Sequence, residues 1–99
     1  MISIFKVQGQ SMSPLYEDGD YLFIFKPFWK KPPLAKQIIV FNHIKYGLLL
    51  KRVVSVDKKS KIFFSKGHNS HSISREEIGA IKFEEIKGTP IFHIKGKKT

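Results

Sequence analysis

Apolar and polar residues alternate with a period of two through most of this chain, and no stretch carries apolar residues at helical spacing for a useful length. The alternation predicts strands over 2–8 (ISIFKVQ), 21–26 (YLFIFK), 38–41 (IIVF), 46–57, 61–66 (KIFFSK), 80–86 (AIKFEEI) and 90–95 (PIFHIK). Between the first two, 9–20 is rich in Gly, Ser, Pro and acids and reads as a loop or short helical turn. The segment 27–36 holds three prolines and is expected to be a connection with an exposed Phe28–Trp29 patch. Lys58–Lys59–Ser60 and Lys87–Gly88–Thr89 are expected to be turns. The polar run 67–79 reads as a loop, with Ser74 placed to cap one helical turn through Glu77. Short strands separated by turns predict a mostly β fold, a small partly open β-barrel or sandwich, filling residues 1–99 as a single domain.

Composition narrows the function classes. The longest apolar runs fall far short of the roughly 20 residues that span a bilayer. The start of the chain lacks a basic segment followed by an apolar stretch of signal-peptide length, so a soluble, cytoplasmic protein is expected. There is no cysteine, which excludes disulfides, thiolate metal sites and cysteine catalysis. The net charge of +10 comes from 18 basic residues, all but two of them lysine. Those lysines are scattered, and no arginine fork or aromatic platform is arranged as a motif. A solvated lysine surface is therefore expected rather than a nucleic-acid reader. His68 and His71, with Asn69 between them, supply too few ligands for a zinc site, and no metal or organic cofactor is expected. His43 and His93 are expected at strand ends or solvent faces.

Lys51 stands out from this background. In GLLLKRVVSV, alternation sets Leu49, Lys51 and Val53 on one face and Leu48, Leu50, Arg52 and Val54 on the other. An amine between Leu49 and Val53 is desolvated, which disfavours its charged form and makes it a competent base at neutral pH. Taken alone, Lys51 is as well read as an edge-strand lysine whose ammonium reaches water. A lysine base needs a nucleophile. Ser11 lies just after a strand, in GQSMSP, where a turn can present its hydroxyl and nearby amides can face an oxyanion. Gly9 is expected to let a substrate backbone approach closely, and Pro14 to stiffen the turn. On its own, Ser11 reads equally as a cap for the turn from Met12 to Tyr16.

Together these segments resemble a known family. VQGQSMSPLYEDGDYLFIF is similar to the nucleophile segment of the signal peptidase I superfamily, Gly-x-Ser-Met-x-Pro followed by Gly-Asp and a β-run. IIVF and LLLKRVVSV resemble its Val-Val-Phe strand and its Lys-Arg-Val base motif. GHNSHSISREEIGAI resembles the box that opens Gly-Asp-Asn and closes Ser-Arg-x-x-Gly. The likeness covers about residues 7–88, with the three pieces in the same order. It is nearest to the small soluble maturation peptidases of that superfamily. It implies a Ser-Lys dyad peptidase acting on a protein or peptide substrate. Ser11 is the acylating serine, Lys51 its base, and the Ser11 N–H the main oxyanion donor. The substrate is expected to lie extended beside Val7, Gln8, Gly9 and Gln10, with small residues before the cleaved bond.

The chain departs from the family pattern at several positions. Gly9 stands where signal peptidases often place a second, hydroxyl oxyanion donor. Lys36–Gln37 replaces the Gly-Asp before the third strand. Gly67–His68–Asn69 and Ile73–Ser74–Arg75 replace Gly-Asp-Asn and Asp-Ser-Arg. Counting back from Arg75 puts His71 where a serine normally bonds the base, and the neighbouring Ser72 is assigned that role. With ten residues ahead of Ser11, cleavage in trans is expected over self-cleavage. The alternative expectation is a catalytically weak or inactive binding module on the same fold, meeting nucleic acid or an anionic surface through its lysines. For Phe28–Trp29, packing against the chain's own core is expected ahead of a weak peripheral membrane contact.

Overall fold

Strand alternation is plainest in Tyr21–Phe25, where Leu22 and Ile24 are buried while Tyr21 is exposed and Phe23 and Phe25 are half-buried. The computed structural model describes residues 2–9, 11–26, 32–68 and 75–96. In chain order the elements are β1 (Ile2–Lys6), β2 (Tyr21–Phe25), β3 (Ile38–His43), β4 (Gly47–Asp57), β5 (Ile62–Lys66), the single turn α1 (Arg75–Ile78), β6 (Ile81–Lys82), a 3₁₀ turn Phe83–Glu85 and β7 (Ile86–Ile94). The strands form one seven-stranded sheet in the order β1-β2-β7-β3-β4-β5-β6. Every pairing is antiparallel, and the two ends of the sheet do not pair with each other. This is the mostly β, partly open barrel expected from the alternation.

The strip Ile38–Phe41 lacks polar alternation because both of its faces are covered. Val40 packs with Leu50, Val7, Met12, Leu22 and Ile24 on one side of the sheet. Ile39 and Phe41 pack with Val53, Phe63, Ile78 and Ile81 on the other. Residues facing opposite ways along one strand thus enter two separate cores. The turn between β4 and β5 forms as expected, with an Asp57 Oδ1 that accepts the N–H groups of Lys59 and Ser60 at 3.1 Å each.

Two expectations need correction. Lys87–Gly88–Thr89 is not a turn but lies within β7. The strand joins β3 on one edge and β2 on the other, with register shifts near Val40/Phe41 and Phe23/Ile24. Gly88 is needed for close approach: a Cβ there would lie 2.9 Å from the Phe25 carbonyl oxygen. Residues 80–86 are likewise not one strand. β6 stops at Lys82, the 3₁₀ turn follows, and Ile86 already belongs to β7. The Phe28–Trp29 patch and the Ser74 cap lie outside the described residues.

Candidate functional site

The loop that presents Ser11 is closed at its base. The Val7 N–H donates to the Asp20 carbonyl at 2.8 Å and the Gly19 N–H to the Val7 carbonyl at 2.9 Å. Within it the Tyr16 N–H reaches the Met12 carbonyl at 3.0 Å, and the Ser13 hydroxyl donates to Glu17 Oε1 at 2.8 Å. Met12 is driven into the first core, 2% exposed, so its neighbour Ser11 is held at the core's margin, half-buried. Gly9 has a φ of +81°, and its N–H donates to Asp18 Oδ1 at 2.8 Å. No atom comes within 4 Å of a Cβ built there. A glycine suits that positive φ.

Asp20 ties this loop to the last strand. Its Oδ1 accepts the Gly96 N–H at 2.8 Å, and its Oδ2 accepts the Glu17 N–H at 3.0 Å and lies 2.6 Å from His93 Nε2. Burial alone raises a carboxyl's pKa. Here the Gly96 and Glu17 N–H donors and the His93 ring outweigh it and hold Asp20 at about 2.

Lys51 sits on β4 opposite Ile39 and is 1% exposed. Its face carries Leu49 and Val53 along β4 and Phe41 across on β3, as alternation predicts. An edge-strand lysine reaching into water is thus not what the fold contains. Among the described residues no side chain forms a hydrogen bond or ion pair with the Lys51 amine. Burial pushes that amine below the usual lysine value of 10.5.

β4 pairs with β3 from Gly47 to Arg52, yet with β5 only from Arg52 onward. Its first half therefore has one edge without a strand partner among the described residues. β1 is an edge strand, paired with β2 alone. Between these two edges lies a cavity of about 410 Å³, walled by β1 with Val7 and Gln8 on one side and by Leu48, Leu49 and Leu50 on the other. Ser11 and Met12 line it as well. On the other flank the His68 N–H donates to the Ser11 carbonyl at 2.7 Å, just past the end of β5. Ser11 is thereby held beside the strand positions that immediately precede Lys51. The two side chains are not hydrogen-bonded to each other, and among the described residues the Ser11 N–H has no partner.

Of the residues singled out in the sequence, Ser11, Val7 and Gln8 meet in this cavity, while Lys51 is buried in the strand that forms its wall. Gly9 stands next to it in sequence. Gln10 and Ser72 lie outside the described residues. His43 is at the end of β3, one of the two places expected, and it is buried. Its Nε2 lies 3.0 Å from the Ile78 carbonyl, and its Nδ1 accepts the N–H groups of Lys45 and Tyr46.

Three parts of the site escaped the sequence reading. Asp20 and His68 act through partners remote in sequence, which alternation does not reveal. Ser65 is 0% exposed with an Oγ that has no hydrogen-bond partner, and its signal was present: it lies two residues after Phe63, on the same core-facing side. Among the described residues no cluster of three or more His, Asp or Glu side chains is arranged to hold a metal ion, and no helix is long and apolar enough to cross a membrane. No family model, no curated protein and no solved structure matches this chain.

Proposed function

We propose that this chain is a serine endopeptidase in which Ser11 is the nucleophile and Lys51 the general base. One observation carries the reading: a lysine amine buried without a counter-ion among the described residues, on the strand that walls a cavity holding a loop serine. Burying a cation without a partner costs several kcal/mol, on the order of the penalties measured for isolated buried charges, unless the group gives up its proton. A structural lysine gains nothing from that position. A base does, because its proton affinity is brought toward neutral pH.

In the proposed reaction a peptide lies extended in the cavity, adding a strand against the open edges of β1 and β4. Lys51 takes the Ser11 hydroxyl proton as the oxygen attacks the peptide carbonyl. The Ser11 N–H stabilises the oxyanion. Collapse breaks the C–N bond, and the lysine proton passes to the departing amine. Water then gives a proton to Lys51 as it attacks the ester, and Lys51 passes that proton to the Ser11 oxygen as the acyl C–O bond breaks, releasing the acid and restoring Ser11. The apolar walls at Leu48 and Leu50 suit small or apolar substrate side chains. The likeness of the three sequence segments to signal peptidase I motifs supports the same assignment.

A binding module using the same cleft is the competing reading, favoured by the missing hydrogen bond between the Ser11 and Lys51 side chains. A fluorophosphonate reagent separates the two. The peptidase reading requires covalent labelling of the native protein that Ser11→Ala abolishes and Lys51→Ala reduces by about two orders of magnitude or more. A folded native protein that stays unlabelled supports the binding module and refutes the peptidase.

A further inference from the structure

We infer that Ser65 is the positioning residue for the Lys51 amine, an inference that rests on the peptidase reading. Ser65 pairs directly with Val53 across β4 and β5, so the two side chains point to the same face. Lys51 lies two residues before Val53 and shares that face as well. Ser65 is thus the diagonal cross-strand neighbour of Lys51, a separation of about 7–8 Å that a long side chain spans.

Both residues are buried. Ser65 is 0% exposed, and its hydroxyl is a buried polar atom without a hydrogen-bond partner. Lys51 is 1% exposed, and among the described residues no side chain forms a hydrogen bond with its amine. Their surroundings on this face are Ile39, Phe41, Leu49, Val53 and Phe63, none of which offers a polar atom from its side chain. The remaining titratable side chain on the face, among those described on β3, β4 and β5, is His43. It stands four residues along β3 from Ile39 and is engaged with Ile78, Lys45 and Tyr46. A buried hydroxyl left unmatched is costly, and natural cores seldom keep one without a use.

The chemistry supplies the use. A neutral amine has two N–H donors and one lone pair. When the Ser65 Oγ accepts one of those N–H groups, the amine's rotation is fixed and its lone pair is directed away from Ser65. β5, which bears Ser65, ends at Lys66, and two residues on the His68 N–H holds the Ser11 carbonyl. On the peptidase reading, Ser65 then serves the amine as acceptor and Ser11 gives it a proton. Ser65 touches no substrate atom in this arrangement and acts through Lys51.

The test follows the rate of fluorophosphonate labelling across pH in native protein, Ser65→Ala and Ser65→Thr, with folding checked by amide spectra. Ser65→Ala is expected to lower the plateau rate about tenfold or more. Its acid limb is also expected to move to lower pH, because the charged amine loses an acceptor. Ser65→Thr, which keeps the hydroxyl, is expected to restore both. A native protein that labels while Ser65→Ala labels as fast with an unmoved acid limb overturns the role of Ser65 alone. A native protein that never labels overturns the peptidase reading and this role with it.

Discussion

The backbone N–H of His68 donates to the carbonyl oxygen of Ser11 over 2.7 Å, joining the exit of β5 to the loop after β1 across 57 residues of sequence. That single bond fixes where the loop serine stands relative to β4, because β5 is paired with β4 from Arg52 onward. The proposed chemistry depends on this closure as much as on the identities of Ser11 and Lys51.

A buried amine kept for catalysis is a liability for stability. Lys51→Met keeps an unbranched side chain, one atom shorter, and removes the polar group from a site that is 1% exposed. The variant is expected to be more stable by about 1–3 kcal/mol, the usual cost of an unmatched buried polar group. For a chain of this size that raises Tm by roughly 4–8 °C per kcal/mol. Calorimetry measures the gain, and the same variant is expected to lose fluorophosphonate labelling. The pH dependence has a definite sign. The folded amine titrates below 10.5, so between its folded value and 10.5 the unfolded chain holds a proton that the folded chain lacks. Native stability therefore rises with pH through that window, and Lys51→Met lacks the rise.

Asp20 has the opposite linkage. Its folded value of about 2 lies below the ordinary 3.8, so its contribution is complete above 3.8 and is lost as pH falls toward 2. Asp20→Asn retains one acceptor oxygen but not the charge facing His93 and the Gly96 and Glu17 N–H groups. Acid unfolding followed by circular dichroism is expected to show the native protein losing stability between about 4 and 2 more steeply than the variant. The variant is expected to be the less stable of the two above pH 4.

Most of the sheet was legible because alternation is a local property. The strands around Leu22 and Ile24, the two-sided run Ile38–Phe41 and the face shared by Leu49, Lys51 and Val53 all follow from period two. The failures have a common cause. Lys87–Gly88–Thr89 has the composition of a turn, yet Gly88 is there because the Phe25 backbone presses on it from a strand more than 60 residues away. His43 stands at a strand end, one of the two places expected, but nothing near it in sequence announces the Ile78 carbonyl it meets. Ser65 sat in plain alternation with Phe63, but a small hydroxyl among aromatics attracts attention only once its burial and missing partner are known. Local pattern identifies faces; long-range contact decides what each face meets.

The account rests on one property, a Lys51 amine whose burial makes it easier to deprotonate than a lysine in water. Its titration, followed by NMR in protein carrying isotope-labelled lysine and assigned by the signal that disappears in Lys51→Met, measures that property without any substrate. The account predicts a Lys51 resonance titrating below 10.5. A Lys51 signal that titrates at 10.5 or above contradicts it.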